Sequence, residues 1–185
     1  MQTWIILAIL AAAVIYVAAL FNRLVRLRNM MREGWSGIDV QLKRRTDLVP
    51  NLVETVKAYA AHERGVLEEV TAMRTSSIAA NSVTGQASAE QALQGALGKL
   101  FAVAEAYPEL KANANFLALQ QQLAEIEDQL QMARRYYNGT VRNLNIGIQS
   151  FPNNLVAGVL GFREEPFFEL DDRSQAASPQ VEFSR

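Results

Sequence analysis

The sequence predicts an all-α protein: an amino-terminal transmembrane helix that continues into an up-and-down four-helix bundle of long, coiled-coil-like helices. Three observations predict it. Ala, Leu, Gln, Glu and Arg dominate a chain of 185 residues that holds only five Pro and ten Gly, a composition that favours helices. One unbroken apolar run opens the chain. Beyond it apolar residues recur three or four apart over long stretches, the period of helices with one buried face. The expected organisation is an anchor over 1–21, a helical bundle over 22–170 and a polar, disordered tail over 171–185.

The anchor is the run "WIILAILAAAVIYVAALF", bounded by Trp4 and Phe21, whose 18 residues suffice to cross a bilayer core as a helix. Only Met1, Gln2 and Thr3 precede it, so the cationic start of a secretory signal peptide is missing and an uncleaved single-pass anchor is expected. Arg23, Arg26 and Arg28 follow at once, placed to meet lipid headgroups, and seven cations stand against Glu33 and Asp39 between residues 23 and 45. Cations flanking a span stay in the cytoplasm, so the bundle is expected to face that side.

After the anchor, Leu24, Leu27, Met31, Trp35, Ile38 and Leu42 form one helical stripe, and Val49, Leu52, Val56, Tyr59, Val66, Val70 and Met73 form a second. The small, polar stretch 75–87 reads as a loop, with Ser88 and Gln91 as a capping box opening the next helix. That helix carries Leu93, Leu97, Leu100, Ala104 and Tyr107 and ends at Pro108. The last and longest helix starts from Asn113 or Asn115 as cap and runs to about Phe151, with Leu123 and Leu130 in its stripe and a stutter at Tyr137.

Two readings compete at "QLKRRTDLVPNLVETV". A heptad count through 31, 35, 38, 42, 45, 49, 52 and 56 stays in phase across Pro50, with only Arg45 out of character, which suits one long helix. Against it, Lys43, Arg44 and Arg45 suit a helix end, Asp47 suits an N-cap, and Pro50 then falls in a first turn instead of costing about 3 kcal/mol in a helix interior. The break is preferred: Arg45, Asp47 and Pro50 are expected to mark a corner between helices 22–46 and 48–74, with 88–107 and 115–151 completing the bundle.

Four blocks resemble the LemA family of bacterial membrane-anchored proteins: "EGWSGIDVQLKRRTDLVPNLVETVKAYAAHE" (33–63), "AEAYPELKANANFLALQQQLAEIEDQL" (104–130), "ARRYYNGTVRNLNIGIQSFPNNLVAGVLGF" (133–162) and "PFFE" (166–169). Gly34 and Gly139 depart from that pattern, which has Ala at the first and Asp or Ala at the second. The resemblance implies an amino-terminal span, an up-and-down bundle and residence in the bacterial cytoplasmic (inner) membrane. It implies no catalytic activity.

The residues agree with that silence. Without cysteine the chain has no disulfide, thiolate nucleophile or cysteine-ligated metal. His62 lacks the second histidine that HExxH zinc or di-iron sites require. Glu125, Glu127 and Asp128 lie off the apolar stripe and read as solvated. Arg134, Arg135 and Arg142 beside Tyr136 and Tyr137 read as cover over the core, not as a nucleic-acid platform, and the net charge of −1 offers nucleic acid no global attraction. No catalytic residue, metal or cofactor is expected.

One segment is left over. Leu155, Val156, Val159, Leu160, Phe162, Phe167 and Phe168 follow the last helix, too short an apolar patch to span a bilayer. They are expected either at the membrane interface, in a groove between copies, or closing the bundle end. The function expected is a non-enzymatic, membrane-anchored scaffold or adaptor that self-associates or binds other membrane proteins. The alternatives are an accessory subunit or enzyme acting on a membrane-associated substrate, or a lipid sensor built on the basic segment.

Overall fold

Helix α1 is a single rod from Gln2 to Tyr59, and the rest of the chain folds against it. The computed structural model describes residues 1–169, so the tail from Asp171 lies outside the described residues. Helices α2 (Arg64–Ala79) and α3 (Val83–Glu105) form a hairpin, the short α4 (Pro108–Lys111) turns the chain, and α5 (Ala114–Gln149) runs back along α1. A 3₁₀ turn at Asn153–Leu155 follows, and the remainder to Glu169 is irregular. The all-α class therefore holds, with no strand among the described residues.

The expected corner at Pro50 does not exist. Arg45, Asp47 and Pro50 all lie inside α1, and the chain first turns at Ala60–Glu63. Proline removes the N–H that would bond the carbonyl four residues earlier, and here that carbonyl belongs to Thr46. Arg74 of α2 donates its Nε–H to Thr46 O at 2.7 Å, so the orphaned acceptor is satisfied from a neighbouring helix. The Pro50 ring points to solvent, while Val49 and Leu52 beside it are buried. The heptad phase was the better guide.

This arrangement makes a double-mutant test. Pro50→Ala is expected to stabilise the protein by up to about 3 kcal/mol, because residue 50 then bonds Thr46 O itself. Arg74→Met should cost about 1.5–3 kcal/mol in the parent, as loss of a hydrogen bond from a charged donor, and clearly less beside Pro50→Ala. Thermal melts of the four chains in detergent check the coupling; additive effects would contradict the rescue.

The hairpin also starts elsewhere than the sequence suggests. The loop expected over 75–87 shrinks to 80–82, and the N-cap of α3 is Ser82, whose Oγ accepts from Gly85 N, in place of Ser88. For α5 the cap is Asn113, whose Oδ1 accepts from the N–H groups of Asn115 and Phe116.

Helices α1 and α5 run antiparallel in a steady register. Tyr59 meets Asn113, Arg45 meets Glu127, Trp35 meets Tyr137, and Leu24 and Leu27 meet Gly147. Gly34 packs against α5: a Cβ there would lie 3.1 Å from Tyr137 Cα. Its departure from the alanine of the family pattern thus bears on helix–helix spacing and not only on helix rigidity.

Two hydrophobic cores result. The distal one joins Val49, Leu52 and Val56 of α1 to Leu93, Leu97 and Leu100 of α3 and to residues of α2, α4 and α5. The anchor-proximal one joins α1 from Leu20 to Leu42 to α5 from Leu130 to Ile148, closed by Ala157, Phe162 and Phe168. Burying such stripes is what holds otherwise marginal helices in place.

Candidate functional site

The amino-terminal stretch of α1 presents a long, unburied apolar surface. From Trp4 to Phe21 the helix is apolar and almost wholly exposed, and it is long enough to cross a membrane. Trp4 and Phe21 are both exposed. Arg23 and Arg26 are exposed just beyond, whereas Arg28 is half-buried with its guanidinium 4.9 Å from the centre of the Phe162 ring.

The segment after α5 divides into three roles. Phe162 and Phe168 are core residues. Val156, Leu160 and Phe167 are half-buried against that core. Leu155 and Val159 are exposed, together with Phe151.

From Arg163 to Phe168 the chain lies as an extended strap along α5. Two asparagines seven residues apart hold it by its backbone. Asn145 donates to Glu165 O and accepts from Glu165 N, both at 2.9 Å, and Asn138 does the same for Phe168 at 3.1 and 2.9 Å. The strap ends with Phe168 between Trp35, at 5.9 Å between ring centres, and the Arg134 guanidinium at 5.2 Å.

Tyr137 adds a third tie, donating its hydroxyl to Pro166 O at 3.1 Å. Burial, reinforced by Glu165, pushes that hydroxyl up to about 12. A raised phenol pKa means the neutral form stabilises the fold fully below the unfolded value of about 10, and that contribution is lost as pH rises through the folded value. The melting temperature is therefore expected to fall more steeply from pH ~10 to ~12 in the parent than in Tyr137→Phe. Equal slopes would show that the tie carries no pH-dependent stability.

Between the two cores lies a buried polar layer. Arg45 occupies a core position of α1, with Nη1 at 3.5 Å from Glu90 Oε2 and Nη2 at 3.2 Å from Glu127 Oε2. The second contact is too oblique for a hydrogen bond, so it acts as a charge–charge attraction. Glu90 also accepts from Ser77 Oγ and, at 3.2 Å, from Gln86 Nε2. Nearby Arg134 is shifted below the ordinary guanidinium range by burial, with Glu127 opposing and Arg45 adding to the shift, yet a guanidinium stays charged at any ordinary pH. Both carboxylates are thus committed to cations and donors. Glu127, expected in solvent, is half-buried because its helix faces Arg45.

The sequence pattern of the LemA family matches residues 34–183, from the middle of α1 through α5 and the strap. The chain belongs to the LemA family. Among curated proteins it is similar to magnetosome protein MamQ 2 of Paramagnetospirillum magneticum, at 26% identity over 85% of this chain and 69% of that one. It is also similar to magnetosome protein MamQ of Magnetospirillum gryphiswaldense, at 24% identity over 80% and 64%. Protein LemA of Metamycoplasma hominis is 26% identical over 82% of this chain and 69% of its own.

In this LemA-family chain the residues singled out from sequence are spread along α1 and the segment after α5. Trp4 and Phe21 bound the apolar amino-terminal stretch of α1, Arg23 and Arg26 follow it, Arg28 packs on Phe162, and Arg45 sits in the polar layer. His62, at the true corner, is exposed. Sequence reading missed Arg74, Glu90, Asn138 and Asn145. A signal existed for some: Arg45 in a core heptad position demanded a buried acid, and two Asn seven apart on a buried helix face demanded a polar partner.

Proposed function

We propose that this LemA-family protein is a non-enzymatic scaffold of the bacterial inner membrane, anchored by α1 with its bundle in the cytoplasm. The observation that carries the reading is the continuity of α1 from Gln2 to Tyr59, which joins anchor and bundle without a hinge. From Phe21 to Tyr59 the rod rises about 57 Å at 1.5 Å per residue. A rigid post suits holding a binding surface at fixed height, and the tying of Glu90 and Glu127 to Arg45 favours a structural role for the acids over acid–base catalysis. Arg23 and Arg26, exposed beside the anchor, would each add about 1 kcal/mol of attraction to anionic lipid.

Orientation is tested with single cysteines at Thr3 and His62, at opposite ends of α1, labelled by an impermeant thiol reagent on spheroplasts. The proposed topology expects label at Thr3→Cys alone; label at His62→Cys alone reverses it. The scaffold role is tested by purifying the full chain in mild detergent. A defined set of membrane-associated proteins should co-elute with the parent, and a folded chain that co-elutes with none would contradict the scaffold role. A folded His62→Ala chain that binds the same set yet fails to complement a deletion strain would instead favour the enzyme reading.

A further inference from the structure

Resting on the reading that α1 crosses a membrane, the register of the fold carries the chain after α5 past the edge of the bilayer. Gln149, the last residue of α5, ends beyond Gly147, which packs on Leu24 and Leu27 just outside the span. Four residues on, Asn153 Oδ1 accepts a hydrogen bond of 2.7 Å from the hydroxyl of Tyr16, inside the span. Leu160 lines a groove of about 540 Å³ together with Leu10, Val14, Val17 and Phe21. Phe162 then returns to the span's edge, edge-on to Phe21 at 5.8 Å between ring centres and under Arg28. The segment between enters and leaves on one side.

We propose that residues 151–160 form a re-entrant loop immersed in the leaflet nearest the bundle, where phospholipid acyl chains cover it and fill the groove beside the span. Its composition fits hydrocarbon: no charged residue occurs between Arg142 and Arg163. Its outer face carries Phe151, Leu155 and Val159, spaced four apart and 81%, 67% and 89% exposed, with Asn154 as its one exposed amide. A loop at that depth must also satisfy its own polar groups, since hydrocarbon supplies no partner. The N–H groups of Asn154, Leu155, Val156, Ala157, Leu160 and Phe162 all bond to carbonyls of residues 150–157. Pro152 has no N–H to satisfy. Asn153, the buried polar side chain, accepts from Tyr16 and donates to Gly147 O at 2.9 Å. That closure is partial, since the N–H groups of Phe151, Asn153, Gly158 and Val159 have no partner among the described residues. A second copy seated here would have to displace lipid from the span as well.

The absence of native cysteine permits single-cysteine variants of the full chain at Ile9, in the span, at Val159, and at Met132 on the exposed face of α5. Each is labelled with an environment-sensitive fluorophore and reconstituted in phosphatidylethanolamine–phosphatidylglycerol vesicles at two lipid-to-protein ratios a decade apart. The quenchers are an acyl-chain spin label and a water-soluble nickel chelate. Immersion expects Val159→Cys to lose emission to the acyl-chain quencher as Ile9→Cys does, at both ratios, while Met132→Cys responds only to nickel. Nickel quenching of Val159→Cys with Ile9→Cys still lipid-quenched would overturn the loop's immersion and leave the anchor standing. Protection from both quenchers that disappears on dilution with lipid would overturn it in favour of a second copy. Failure of Ile9→Cys to respond to lipid would instead remove the anchor reading on which the inference rests.

Discussion

Arg45→Ala is expected to destabilise the full chain in detergent by about 3–5 kcal/mol, the range for breaking a buried ion pair by removing one partner. The guanidinium is the shared counter-charge of Glu90, which is buried, and Glu127, which is half-buried. Glu90 is 3% exposed, so loss of Arg45 leaves a buried carboxylate without its counter-charge. Against a typical stability of about 5–15 kcal/mol the loss is large, on the order of 10 °C in melting temperature for a domain of this size. The layer is not expected to be worth that much in itself. Arg45→Met combined with Glu90→Gln and Glu127→Gln removes the charges together and should recover most of the stability, because ion pairs inside proteins roughly break even against well-packed neutral replacements. A melt of Arg45→Ala within about 1 kcal/mol of the parent, well below that range, would show the layer to be hydrated and loosely coupled.

That layer also shows why local and periodic signals disagreed in α1. The heptad phase running through residues 31 to 56 describes the helix correctly, Arg45 included, since a core position can hold a cation when two other helices bring acids to it. The proline rule was right about its cause, an orphaned carbonyl, and wrong about its outcome, because the donor that satisfies Thr46 O comes from Arg74, 28 residues away. No local rule contains such a partner. The corner at Ala60–Glu63 left only a step of seven in the stripe between Tyr59 and Val66. Moving it from residue 46 to residue 60 still leaves α5 running back to the anchor, so a continuous helix through Pro50 does not reverse the direction of the last helix, as it would if no other corner existed. The long helix α5, its Asn113 cap and buried Tyr137 were legible because apolar period and capping chemistry are both local. The strap was not, since an extended segment bonded to asparagine side chains has neither a period nor a ladder.

Phe168→Ala provides the sharpest test of the strap, with an expected loss of about 3–5 kcal/mol for truncating a buried aromatic. The ring is 1% exposed and has aromatic contact with Trp35 on α1 and a cation above it on α5, so it pins the two long helices to each other. Its backbone bonds to Asn138 keep the mutated segment in place, which prevents collapse and leaves a cavity beside the indole. Two readouts should move together: a lower melting temperature, and a red-shifted Trp35 emission in a Trp4→Phe background as water reaches the cavity. Val159→Ser, on the same segment but at an exposed side chain, should shift melting in detergent by no more than about 0.5 kcal/mol. The contrast separates two jobs that one short apolar patch had seemed to share, the core-sealing of Phe162 and Phe168 and the outward face of Leu155 and Val159. If Phe168→Ala melted like the parent with Trp35 emission unchanged, the strap would have to sit elsewhere in solution, and α1 and α5 would be joined by their own stripes alone.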